Sequence, residues 1–265
     1  MKPLLTLLLL SACAIPSLNA QNALPADSGH FTINEGNHPV GRSDFSIQPV
    51  HQGSIAAPGA YSVNSHGTLS LKNTSYSFSS SGSLDGNLGI LQEDLNGIVN
   101  GSAVTFALRP SGGNKFAINI SASGKSYQNS LNNPGPTVFF PDFDLASYEI
   151  LLNLAAGHPG TINWALIPKQ TGILSAATLA PEADVQATLN AKPITVHHQS
   201  LTINSVTSEL YYSATNRILE VDIPSQAFAI VHDSFQLQAP PPPPAQTAPD
   251  GQQQNGGGNP PTQPQ

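Results

Sequence analysis

The stretch AIVHDSFQL, residues 229–237, places His232, Asp233 and Ser234 side by side. These are the residue types of a serine-hydrolase triad, in which a carboxylate orients an imidazole that activates a hydroxyl. The alternating apolar residues around them predict a β-strand, in which adjacent side chains point to opposite faces. Asp233 should therefore be unable to orient His232, and no Gly-x-Ser-x-Gly segment supplies another nucleophile. We interpret the stretch as the last strand of a sheet, with His232 packed near the sheet edge.

The other histidines show no metal-binding spacing. His197 and His198 are adjacent in ITVHHQSLTI, so a strand would place them on opposite faces. Metal sites need converging ligands, as in His-x-His on a strand or His-x-x-x-His on a helix, and none of the eight histidines has either spacing. A site assembled from distant strands, for example His66 with His197, stays open. We expect solvent-facing histidines, no metal and, without a Gly-rich phosphate loop, no cofactor.

The acidic residues offer no paired-carboxylate motif. Asp142, Asp144 and Glu149 form the one local cluster, in which Asp144 is interpreted as a helix cap and Glu149 as a helix-surface residue. Glu93 and Asp94 are neighbours, whereas glycosidase carboxylates normally come from separate strands. The spacing therefore does not indicate a glycosidase.

Alternation of apolar and polar residues recurs along the chain and predicts many strands with one buried face. Asn-Gly in VNGSAV and Gly-Gly in RPSGGNKF predict hairpin turns, and SATNRIL another. The buried positions are predicted to be Tyr61, Val63, Leu69, Leu71, Tyr76, Phe78, Leu84, Val104, Phe106, Leu108, Phe116, Ile118, Ile120, Ile162, Trp164, Leu166, Leu219, Val221 and Ile223.

One segment, residues 141–160, has helical rather than strand periodicity. A helix is predicted at about 144–157, capped by Asp144 and amphipathic, with Leu145, Tyr148, Leu152 and Ala155 docked on the sheet. The fold class is therefore all-β with one helix, in residues 30–238. So many strands should curl or form two layers, which predicts a curled antiparallel meander: a half-barrel, a β-clam or a two-layer sandwich.

The two ends of the chain differ from this domain in composition. MKPLLTLLLLSACAIPSLNAQ predicts a signal peptide, 1–20, cleaved after Ala20, and hence an exported protein in the periplasm or outside the cell. The alternative is a lipobox, LSAC, with lipidated Cys13 and an outer-membrane lipoprotein; the intact mass of the mature chain distinguishes the two. Residues 21–29 are predicted to be a linker and 239–265 a disordered Pro/Gln/Gly-rich tail.

The composition restricts the partners. The chain has 9% charged residues, a net charge of −7 and no cluster of lysine and arginine, which argues against nucleic acid and anionic lipid head groups. No apolar run after residue 20 is long enough to predict a membrane span.

Several segments resemble a group of exported bacterial β-meander proteins, loosely similar to the half-barrel periplasmic lipoprotein carriers. These segments are GHFTINEGNHPVGRSDFSI, HGTLSLKNTSYSF, LNGIVNGSAVTF, LIPKQTGIL and SELYYSATNRILEVDIPSQAFAIVHDSFQL. The resemblance covers residues 29–238 and implies a curled meander, with no catalytic or binding residue carried over.

The sequence favours a non-catalytic envelope protein that binds an apolar or amphipathic ligand, or a protein partner. Two alternatives stay open: a structural or interaction module with a filled core, and a hydrolase assembled from distant strands. The candidate ligand-binding residues, on the apolar face, are Tyr61, Val63, Phe78, Phe106, Phe116, Ile118, Phe140 and Trp164.

Overall fold

The computed structural model describes residues 24–52, 55–169 and 172–238, so the predicted signal peptide, Cys13 and the predicted tail 239–265 lie outside the described residues. Strand β1 begins at Asp27, so the predicted linker 21–29 extends three residues too far at its C-terminal end. Within the described residues the elements are β1 Asp27–Glu35, β2 His38–Gln52, β3 Ile55–Ser70, β4 Ser75–Leu84, β5 Ile90–Val99, β6 Ser102–Ser111, β7 Lys115–Ala122, β8 Lys125–Asn132, β9 Thr137–Phe139, α1 Leu145–Gly157, β10 Asn163–Ile167, β11 Ile173–Pro181, β12 Val185–Leu189, β13 Lys192–Ile203, β14 Val206–Tyr212, β15 Ile218–Ile223, a 3₁₀ turn Pro224–Gln226, β16 Phe228–His232 and β17 Phe235–Leu237.

Backbone hydrogen bonds join the strands into one continuous ribbon. Strands β1 to β8 form an antiparallel meander in chain order. On its other edge β1 pairs with β16, and the ribbon continues through β15, β14, β13, β11 and β10 to β9, which runs parallel to β10. The rings of Phe139 in β9 and Phe106 in β6 lie 5.3 Å apart, so one end of the ribbon packs on the meander. The predicted all-β, curled and mainly antiparallel fold with one helix is confirmed.

Helix α1 lies inside the curl and contacts β2, β3, β9, β10 and β15. Asp144 caps it as predicted, but the prediction of an amphipathic helix docked by one face is wrong: nine of its thirteen residues are buried. Ile150, opposite the predicted face, is 5% exposed, and Glu149, predicted to be on the surface, is fully buried. A helix that is apolar on all sides is one that a core surrounds. Within the described residues no helix is long and apolar enough to cross a membrane.

Most alternating apolar residues are buried in one core around α1. The predicted turn at Asn100 and Gly101 is present, with φ angles of 49° and 80°. Four positions depart from the prediction. Val104 and Trp164 are only half-buried and are not part of this core. Ile162 precedes β10 and is 60% exposed. Leu219 faces away from the main core, because the register between β14 and β15 shifts beside it.

A smaller layer covers part of the outer surface of the ribbon. Strand β12 pairs with both β13 and β17. Its core holds Ala187, Val196, Leu219 and Phe235. Strand β15 is therefore buried on both faces, which explains why Glu220 is only 8% exposed.

Candidate functional site

A cavity of about 340 Å³ opens at the end of the curl where α1 begins; we call it the mouth cavity. Its walls come from the end of β3, the segment 140–143, the end of β10, the β13–β14 hairpin and the β15–β16 connection. A mainly apolar concavity of this size with a few polar groups is the usual form of a small-molecule site. The lining residues are Leu69, Leu71, Phe140, Pro141, Asp142, Phe143, Tyr148, Ile167, Lys169, Leu201, Ile203, Asn204, Val206, Ser208, Ile223, Gln226 and Phe228.

Phe143 lies in this lining in a strained backbone conformation. Its φ is +64°, in the left-handed region that side chains beyond Gly and Asn rarely adopt. Ser43 Oγ donates a 2.8 Å hydrogen bond to the Phe143 carbonyl, and the ring packs edge-on against Phe228 with centroids 5.2 Å apart. Strain of this kind, of order 1–3 kcal/mol, persists only where the surroundings impose it and is common at ligand sites.

The helix supplies the aromatic floor of the cavity. Tyr148, in the first turns of α1, is 5% exposed, and its ring lies edge-on to Phe140 with centroids 4.7 Å apart. Burial raises the pKa of the Tyr148 hydroxyl, while a hydrogen bond with Ser208 opposes that rise. The floor is therefore neutral, and the hydrogen bond with Ser208 engages its hydroxyl.

Among the described residues, two charged side chains line the cavity, one acidic and one basic. Lys169 Nζ lies 3.3 Å from Asp142 Oδ1, and their side chains are 58% and 54% exposed. The pair is therefore accessible to solvent as well as to the cavity.

Below the mouth, two carboxyl groups are buried near the helix N-terminus. Asp144 Oδ1 accepts hydrogen bonds from Ser65 Oγ at 2.7 Å and from the Ala146 amide at 3.1 Å. Burial nonetheless raises the pKa of Asp144 to about 6. Burial, followed by the charge of Asp144, raises the pKa of Glu93 well above its usual value. Gly82 makes room for this group, because a Cβ there would lie 2.1 Å from Glu93 Oε2.

A second buried acid lies farther along the helix. Glu149 Oε2 accepts a 3.3 Å hydrogen bond from the Ile218 amide, and Oε1 has no hydrogen-bond partner among the residues that the structure describes. Burial, and then the neighbouring Asp27, raise the pKa of Glu149 to about 9. Asp27 is itself held by Arg217, whose Nε donates to Asp27 Oδ2 at 2.7 Å. These contacts tie α1 to β1 and β15 and leave no open site at Glu149.

Most of the candidate ligand-binding residues lie in the core, two border cavities, and one is half-buried outside the core. Phe140 lines the mouth cavity, and Phe116 borders a separate cavity of about 180 Å³ near the helix C-terminus. Trp164 is only half-buried and is not part of the main core. The remaining candidates are packed in the core around α1: Tyr61, Val63, Phe78, Phe106 and Ile118.

The stretch 229–237 is two strands, β16 and β17, rather than one last strand, and the turn between them holds Asp233 and Ser234. Ser234 Oγ lies 3.0 Å from His232 Nδ1, but that nitrogen also lies 3.3 Å from the Ser234 amide, so the contact belongs to the turn. Asp233 instead accepts a 3.0 Å hydrogen bond from Thr32 Oγ1. His232 packs edge-on against Phe31, on a strand that is paired on both sides, and not at a sheet edge. No triad forms here.

Four other histidines contact acids, and two of them share one acid. His197 Nδ1 lies 3.0 Å from Asp184 Oδ1, and His198 Nε2 lies 2.9 Å from Glu209 Oε2. His66 contacts Asp44, as does His30, in one row across β1, β2 and β3, so His66 and His197 do not meet. Among the described residues, no group of three or more His, Cys, Asp or Glu residues could hold a metal ion. The row is a consequence of strand register, which the sequence analysis did not predict.

Comparison with known proteins adds little to this description. No protein-family model matches the chain, and no curated protein matches its sequence. The chain is similar to a β-barrel-like protein of the domain of unknown function DUF1849 from Brucella abortus, with 10% identity, a TM-score of 0.48, and coverage of 81% of this chain and 97% of that one. It is also similar to a DUF1089 family protein from Pseudomonas aeruginosa, with 8% identity, a TM-score of 0.38, and coverage of 69% and 90%. Neither likeness bears on function.

Proposed function

We propose that this protein binds an apolar or amphipathic small molecule in the mouth cavity, without catalysing a reaction on it. The observation that carries the proposal is the mouth cavity itself, about 340 Å³, in which twelve of the seventeen lining residues are apolar while polar and apolar atoms share the exposed surface about equally. Exposed apolar concavities are costly in water and mark ligand or partner sites.

The packing of α1 restricts where a ligand binds. Because the helix fills the curl, Phe106 and Ile118 contact protein groups and are only 2% and 1% exposed. The apolar face predicted from the sequence is therefore mostly core, and the site we propose lies at its end, around Phe140 and Phe143.

The proposed setting is the cell envelope. The N-terminal pattern of Lys2, an apolar run and a small-residue cleavage site ending at Ala20 supports export. The resemblance of residues 29–238 to a group of exported bacterial β-meander proteins is in keeping with this setting. We propose binding of this kind, after export, as the function.

Filling the cavity with a larger side chain should weaken binding strongly. Val206 lines the mouth cavity, and the change Val206→Trp adds an indole ring in that space. Titration of the purified protein with the neutral apolar dye N-phenylnaphthylamine, followed by its fluorescence, should show saturable binding that weakens about tenfold or more in the variant, because the ligand loses its contact surface.

The matched control is Leu91→Trp, at an exposed position beside Ile90 at the opposite end of the curl. It should bind the dye as the unchanged protein does, and thermal unfolding should show that both variants fold. Equal affinity in all three proteins would place the dye elsewhere and refute the proposed site.

The filled core specifically favours a second candidate, a structural or interaction module. Residues from both halves of the ribbon pack on α1, which is what a rigid scaffold without an internal ligand requires. Folded protein that takes up no dye at any concentration would favour this candidate.

A further inference from the structure

We propose that the ligand of the mouth cavity is a single-chain amphiphile with a zwitterionic headgroup. This inference rests on the proposed function and names the chemical class that the site selects. Its basis is the pair Asp142 and Lys169 beside an apolar lining.

The apolar lining suits a hydrocarbon chain. The floor is formed by the rings of Phe140 and Tyr148, and a hydrogen bond with Ser208 engages the Tyr148 hydroxyl. Leu201, Ile203 and Val206 form the wall on the β13–β14 side. Each methylene transferred from water to such surroundings strengthens binding by about fourfold. The polar end of the ligand therefore remains at the lip.

The charged groups of the lip are one acid and one base. A solvent-exposed ion pair contributes little to stability, so Asp142 and Lys169 can separate at little cost to meet a ligand. An anionic headgroup would pair with Lys169 but be repelled by the Asp142 carboxylate. A cationic headgroup would pair with Asp142 but be repelled by the Lys169 ammonium group. A headgroup with both charges satisfies both residues, and electrostatic complementarity of this kind gives specificity.

The test uses four amphiphiles that share a dodecyl chain: zwitterionic dodecylphosphocholine, anionic dodecanoate, cationic dodecyltrimethylammonium and neutral dodecyl maltoside. Each is titrated into the full chain by calorimetry below its micelle concentration. Dodecylphosphocholine should bind about three- to tenfold more tightly than the other three, as expected for two partly exposed charge contacts.

Single charge removals should invert the preference in opposite directions. Asp142→Asn should favour dodecanoate, which then meets Lys169 alone, and Lys169→Gln should favour dodecyltrimethylammonium. The control Lys115→Gln changes an exposed charge in β7, outside the mouth cavity, and should keep the original order.

The outcomes separate the inference from the proposed function. Equal binding of all four amphiphiles, or tightest binding of one with a single charge, would overturn the zwitterion assignment and leave the binding site standing. No binding of any of them to folded protein would overturn both.

Discussion

Replacing Ile150 by alanine is expected to lower the free energy of unfolding by about 2–5 kcal/mol, the usual cost of deleting a buried Ile side chain together with the cavity that it leaves. Ile150 is 5% exposed and lies on the side of α1 opposite the face predicted to dock. A helix lying on the outside of the sheet would expose this residue, and its truncation would then have little effect. Urea denaturation of the variant and the unchanged protein measures the difference.

The matched control is the same chemical change at an exposed site. Ile162 is 60% exposed and lies outside the strands, so Ile162→Ala should change the free energy of unfolding by no more than about 0.5 kcal/mol. If the two variants lose the same small amount, α1 is not inside the curl.

Stability should fall as the pH rises from 6.5 to 9, because buried acids must give up protons there. Burial raises the pKa of Glu149 from 4.5 to about 9 and that of Glu220 from 4.5 to about 8. The unfolded chain has released both protons throughout this window, whereas the folded protein keeps the Glu220 proton up to about pH 8 and the Glu149 proton up to about pH 9. The unfolded state thus binds fewer protons, and each group lowers the free energy of unfolding by up to about 1.4 kcal/mol per pH unit until its folded pKa is reached.

The variant Glu149→Gln isolates the larger contribution. The amide oxygen can still accept from the Ile218 amide, but no proton is lost, so its stability should fall less steeply between pH 6.5 and 9. Glu182, an exposed residue, gives the control Glu182→Gln, which should keep the original slope. Stability that rises with pH across this window in the unchanged protein would contradict the burial of Glu149.

The architecture could be predicted from the sequence because a period of two is a local signal. Phe116, Ile118 and Ile120 in β7 alternate and are all buried, as a strand with one wet face requires. The exceptions arise where register changes. Leu219 turns to the second layer beside a shift between β14 and β15, and a bulge of this kind leaves no clear mark in the pattern.

The ends of the helix could be predicted from the sequence, but its position relative to the sheet could not. Asp144 marks its start by local capping chemistry, and the helix ends at Gly157, the predicted last residue, with His158 as the C-cap. Its position inside the curl is a long-range property. One clue was present, since Ile150, Leu151 and Leu154 extend the apolar surface beyond the face chosen, and a helix apolar all round belongs in a core.

The candidate site was mostly beyond the reach of sequence reasoning. Phe140 is the one predicted ligand-binding residue that lines the mouth cavity, because the cavity is formed by strand ends that are distant in the chain. Phe143, with its positive φ, and the pair Asp142 and Lys169 depend on tertiary packing. The alternating pattern indicates which residues of a strand face the core, but it carries no information about which end of the curl stays open.

Photolabelling tests the central claim, that the ligand lies at the mouth of the curl rather than inside it, most directly. A dodecyl-chain amphiphile with a diazirine at the chain end is irradiated with the protein, and the labelled peptides are identified by mass spectrometry. We expect labels, competed by the unmodified amphiphile, in residues 140–148 and 201–208, which line the mouth cavity. Labels concentrated around Phe106 and Ile118, or labelling that no competitor reduces, would contradict the account.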